Sequence, residues 1–98
     1  MGTGLNETHM EVLKYLVRNE GRDIPRSELT AEFGANVYNR LGKLIMHKCI
    51  VSERRAVEGR NQMVNFYAIN ETGKDVLLRF LRESGEINEL HESHQKRF

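Results

Sequence analysis

The spacing of apolar residues changes at Lys48, and this change restricts the chain to a mixed fold. Up to that point apolar side chains recur every three or four positions, as helices with one buried face require. Beyond it they fall in two short runs, "CIVSERR" (49–55) and "MVNFYAI" (63–69). Runs of this length, rich in β-branched and aromatic residues, read as strands. The intervening "AVEGRNQ" contains Gly59 and Asn61 and reads as the turn of a hairpin. Helical spacing returns at Glu71.

Four helices follow from capping and stop signals. Asn6 or Thr8 caps the first, Thr8 and Glu11 having the spacing of a capping box. Met10, Leu13, Leu16 and Val17 mark its buried face, and Gly21 ends it. Ile24, in the connector "GRDIP", is placed to make a single strand-like contact. The second helix is "RSELTAEF", with Leu29 and Phe33 inward and Gly34 as its stop; Pro25 before it has no capping side chain. The third spans residues 35–48, with Asn36 as cap. Val37, Leu41, Leu44 and Ile45 form its core face. Asn39, Gly42, Lys43 and Met46 lie opposite, with Asn36, Arg40 and His47 at the edge. Asn70 caps a fourth helix whose Val76, Leu77, Phe80 and Leu81 point inward. Gly85 interrupts it, and residues 85–98 form a tail, helical or frayed.

Residues 6–84 thus make one α+β, mainly α, domain of three helices, a two-stranded hairpin and a C-terminal helix. That order is the winged helix–turn–helix arrangement, in which the third helix enters a DNA major groove and the hairpin, residues 50–69, is the wing.

Charge distribution points the same way. The net charge is only +1. Residues 35–62, however, carry Arg40, Lys43, Lys48, Arg54, Arg55 and Arg60 against Glu53 and Glu58, while both flanks are mildly acidic. From Asn36 to Ser52 there is no acid at all. Duplex DNA is a dense line of negative charge, and a surface facing it favours cations and neutral polar groups. Asn39 can pair with an adenine edge, and Arg40 or Lys43 can donate to guanine or phosphate. Asn36 and Tyr38 flank them at the start of the helix. In the hairpin, Arg54, Arg55, Arg60 and Asn61 can reach phosphate or the minor groove. Arg54 and Arg55 point to opposite sides of their strand, so no more than one of them is expected to face DNA.

Two segments resemble a known family. "VYNRLGKLIMHKCIV" is similar to the recognition helix of winged-helix transcription regulators of the PadR and MarR type, with an aromatic near its start and Leu41 and Leu44 three apart. "FYAINETGKDVL" resembles the end of their wing, through Tyr67, Ile69, Asn70 and Gly73. The likeness covers roughly residues 10–83. It implies a DNA-binding regulator; a homodimer is expected because one small module binds weakly and a two-fold pair reads two half-sites. Lys48 stands where such proteins usually have Gly, Asn70 replaces a Thr, and the C-terminal segment is shorter than a PadR-type dimerisation helix.

No nucleophile–base pair, phosphate loop or paired-carboxylate arrangement is visible, so no enzyme and no cofactor is expected. No metal site is expected either, because His91 and His94 lack a completing Cys or acid. The single cysteine, Cys49, excludes an internal disulfide. With neither an apolar run of membrane length nor a secretion signal, the expected location is cytoplasmic and nucleoid-associated. Leu78, Leu81, Ile87 and Leu90 offer a dimer seam.

The expected function is sequence-specific binding of double-stranded DNA by a small transcription regulator, in the manner of a repressor. The alternatives are a winged-helix module with a protein partner, for which Met46 on the outer face of the third helix, Met63 and the apolar residues on both faces of "MVNFYAI" argue, and a DNA-binding component of replication or recombination machinery.

Overall fold

The computed structural model describes residues 4–59 and 61–84. The elements are α1 (Glu7–Arg18), β1 (Ile24–Pro25), α2 (Arg26–Phe33), α3 (Val37–Met46), β2 (Ile50–Ala56), β3 (Met63–Ile69) and α4 (Glu71–Ser84). The described residues are therefore α+β, with four helices and an antiparallel sheet. The sheet has three strands rather than the two of the hairpin alone, in the order β1-β3-β2. Ile24 pairs with Tyr67 and Pro25 with Phe66, so the connector after α1 becomes an edge strand.

The helix starts differ from the expected ones in their chemistry. Asn6 is the cap of α1, and its side chain accepts the Thr8 N–H at 3.0 Å. The reciprocal acceptor of the capping box is His9, not Glu11: His9 Nδ1 accepts the Asn6 N–H at 3.1 Å. Asn36 precedes α3 but has helical backbone angles and makes no side-chain capping bond. The helix itself is shorter than 35–48.

The end of α3 explains Lys48. Its backbone is left-handed, with φ 62°. The Lys48 N–H donates to the Ile45 carbonyl and the Cys49 N–H to the Leu44 carbonyl, both at 2.9 Å. This is a Schellman closure, which normally places Gly at the left-handed position. Cys49 and Leu44, which flank it, are both fully buried.

The core lies between the helices and one face of the sheet. It is built from Met10, Val12, Leu13 and Leu16 of α1, Leu29 of α2, Val37, Leu41 and Leu44 of α3, Leu77 of α4, and Ile24, Ile50, Tyr67 and Ile69 of the strands. Burying each large apolar side chain contributes about 1.5–3 kcal/mol. Val12 joins this core although the helical spacing did not select it. Val17, Phe33, Val76, Phe80 and Leu81 are half-buried around its rim. Ile45, expected inside, is 41% exposed. It stands one turn after Leu41, at the flank of the buried face.

Two polar clusters fix the helices. Tyr15 Oη donates to Glu28 Oε2 at 2.5 Å, and Arg22 donates to both Glu28 oxygens at 3.1 and 2.6 Å. The Arg22 guanidinium, and then the Tyr15 hydroxyl, hold the Glu28 carboxyl below its ordinary range. Together with the edge-on contact of Tyr15 and Phe33, 5.7 Å between centroids, they seat α2 against the end of α1. At the other junction Asn70 Oδ1 accepts the Gly73 N–H at 2.8 Å, and Asn70 Nδ2 donates to the Lys48 carbonyl at 2.9 Å. One side chain thereby caps α4 and ties it to the end of α3. No helix among the described residues is long and apolar enough to cross a membrane.

Candidate nucleic-acid interface

Alternation along the strands sets which hairpin residues look toward the helices. Residues paired across β2 and β3 share a face, so Ile50, Ser52, Arg54 and Ala56 stand with Ile69, Tyr67, Asn65 and Met63. Near α4 this face is core. Toward the hairpin tip it passes beyond the core and overhangs α2 and α3. The result is a groove of about 640 Å³, with Arg26, Ser27 and Thr30 on the α2 wall, Tyr38 on α3, and Arg54 and Asn65 on the hairpin wall.

Arg26 and Tyr38 form one unit at the floor of this groove. The guanidinium lies 4.3 Å from the Tyr38 ring centroid, and Nη1 donates to Tyr38 Oη at 2.5 Å. Arg26 is also the first residue of α2, whose N-cap Pro25 supplies no side-chain capping bond. The amide groups of that first turn therefore add to the positive potential of the groove.

The cations of the domain differ in whether an acid pairs with them. Lys14 pairs with Glu11, Arg22 with Glu28, Arg55 with Asp23 and Glu53, and Lys74 with Glu20 and Glu71. Arg40, Lys43, Lys48 and Arg54, by contrast, have no acid partner among the described residues, nor does Arg26. Arg26 and Arg54 line the groove, Arg40 and Lys43 lie on α3, and Lys48 lies just past its end. Arg18, Arg79 and Arg82 also lack an acid partner there, but they stand on the exposed sides of α1 and α4.

The expected contact residues are distributed as follows. Asn36 and Asn39 are exposed on α3, and Tyr38 is 54% exposed. Arg40 and Lys43 are half-buried on the edge of α3 that faces the start of α1. Arg54 is exposed and lines the groove. Asn61 is exposed at the hairpin tip. Arg55 lies on the opposite face of the sheet, over the Phe66 ring at 4.4 Å, and is held by Asp23 and Glu53. It does not join the others. Arg60 lies outside the described residues, as do Ile87 and Leu90. Leu78 is 42% exposed, and Leu81 is half-buried against the core of its own chain.

Sequence reasoning missed Arg26, Ser27 and Thr30. Their signal was a helix opening with Arg-Ser after an uncapping Pro. Met46 is 70% exposed on α3 and Met63 48% exposed at the groove rim, which gives the surface an apolar component. Among the described residues no group of three or more His, Cys, Asp or Glu is placed to hold a metal ion. Burial raises the Cys49 thiol above its ordinary range and leaves it a poor nucleophile.

No family model, curated protein or solved structure matches this chain.

Proposed function

We propose that the domain is a winged helix–turn–helix module that binds double-stranded DNA, with α3 in the major groove and the β2–β3 hairpin as the wing. One observation carries the reading: Arg26, Arg40, Lys43, Lys48 and Arg54, on or beside α3 and the groove, all stand without an acid partner among the described residues, whereas elsewhere Lys14, Arg22, Arg55 and Lys74 are paired and Arg18, Arg79 and Arg82 are not. An unpaired surface cation is poised to replace the counterions condensed on phosphate, and each phosphate so neutralised makes binding more salt-dependent. Asn39, on the outermost face of α3, is the base reader in this arrangement, and Arg40 and Lys43 lie along the same helix. Arg26, Arg54 and the first turn of α2 receive the phosphate backbone at the groove. The role is that of a small transcription regulator acting as a homodimer on two half-sites.

The experiment is fluorescence anisotropy against a mixed pool of short duplexes at two salt concentrations. Micromolar binding whose log–log salt slope corresponds to about four or more phosphates supports the reading. Absence of binding at low salt sinks it.

A second reading has its own observation. Tyr38, Ile45, Met46 and Met63 are all exposed on or beside α3, an apolar content that suits a protein partner. Arg40→Ala with Lys43→Ala abolishes binding on the DNA reading, in either transcription or replication machinery. A partner complex that survives those changes but is broken by Met46→Asp marks the protein-interaction reading.

A further inference from the structure

A capping box needs an acceptor at the third helical position that reaches back to the cap amide, and Glu or Gln is the usual choice. Here it is His9. Its Nδ1 accepts the Asn6 N–H at 3.1 Å and also lies 2.9 Å from Asn6 Oδ1. The residue is only 8% exposed. Lys43, Arg40 and His47 of α3 act on it electrostatically; on its own helix its hydrogen-bond partner is the uncharged Asn6, and the acids beside it, Glu7 and Glu11, are exposed. Lys43 is held in this seam: its Nζ lies so near Gly4 that a Cβ there would come within 3.3 Å. A Glu at position 9 would close the same box but would lay a carboxylate against the cations of α3. Histidine supplies the acceptor without the acid, so position 9 lays no carboxylate against the cations of α3. Unlike Gln, it also titrates.

We propose that His9 is a proton-linked member of the polyanion-binding edge of α3, taking up a proton when duplex DNA docks on Arg40 and Lys43. This inference rests on the DNA reading. In the free protein, burial first, and then the charges of Lys43, Arg40 and His47, hold the His9 imidazole neutral below its ordinary range. Phosphates arriving on those cations offset their repulsion and make the imidazolium easier to form. Linkage is reciprocal, so protonation of His9 in turn tightens the complex. The ring has a partner in either state. Neutral Nδ1 accepts the Asn6 N–H, and protonated Nδ1 donates to Asn6 Oδ1, which is already within hydrogen-bond distance.

His9→Gln isolates the effect, because Gln is a natural acceptor for the box and carries no proton. Duplex affinity is measured by anisotropy at constant ionic strength from about pH 8 to about pH 5.5, spanning the range in which imidazole titrates. Circular dichroism confirms the fold at each step. The wild type is expected to gain affinity as pH falls, by up to about tenfold per pH unit where one proton is linked, with a shallower gain in His9→Gln. Equal pH dependence in the two proteins overturns the proposal. No duplex binding by either protein at any pH removes the DNA reading, and this inference with it. An NMR titration of the His9 imidazole, with and without duplex, decides the matter even where the variant fails to fold. A pKa raised in the complex supports the proposal, and one unchanged or lowered overturns it.

Discussion

The carbonyl oxygen of Cys49 occupies the space in which any residue but glycine at position 73 would carry its Cβ. The same carbonyl accepts the Asn70 N–H at 3.2 Å, and the Asn70 side chain caps α4 through the Gly73 N–H. The first turn of α4 is therefore pressed against the closure of α3, and a single glycine makes that approach geometrically possible.

Gly73→Ala is expected to destabilise the domain by about 3 kcal/mol, at the upper end for overpacking because the obstacle is backbone and not a flexible side chain. Gly42→Ala is the control. Gly42 lies mid-helix in α3, and a methyl group added there would meet nothing within 4 Å, so this change should stabilise by about 0.5–1 kcal/mol. Urea denaturation of both variants checks the pair.

Lys48→Gly is expected to stabilise by about 1 kcal/mol, because an L-residue is strained in the left-handed conformation that Lys48 adopts. If Lys48 meets phosphate, the same variant lowers the salt slope of duplex binding by about 0.9. Stability and binding then move in opposite directions, which thermal melts and anisotropy read separately.

Arg54→Ala and Arg55→Ala should part company in binding. Arg54 lines the groove without an acid partner, and its loss is expected to reduce the salt slope by about 0.9. Arg55, paired with Asp23 and Glu53 on the other face, should leave the slope unchanged. Equal losses in both variants would mean that the hairpin meets DNA through a different face.

Stability should fall in mildly acidic solution. His9 is held neutral in the fold, below its ordinary value of 6.5. As pH drops through that value the unfolded chain gains a proton that the folded chain does not. The folded state is then progressively disfavoured until its own lowered pKa is reached. Denaturation at about pH 7.5 and about pH 5.5 should show the loss in the wild type and a smaller one in His9→Gln.

The order of elements could be read from the chain because helical and strand spacings are local. The end of α2 followed from Gly34, whereas Pro25, with no capping side chain, left its start open. The hairpin followed from two β-rich runs about a turn with Gly59 and Asn61. The cap of α4 at Asn70, with Gly73 three residues on, was equally local. Burial on the flanks was less accessible. Val12 went in and Ile45 stayed out because neighbouring elements, not helical spacing alone, decide how wide a buried stripe becomes.

What the sequence determined by itself was the series of helices and strands and an acid-free segment centred on α3, since both are properties of residues close in the chain. Only the tertiary structure decided how distant residues combine. It brought Arg26 of α2 onto Tyr38 and across from Arg54, set Asp23 against Arg55, and placed His9 within electrostatic reach of Lys43, Arg40 and His47. Charges interact through space over several ångströms, and no spacing along the chain reports which of them will meet.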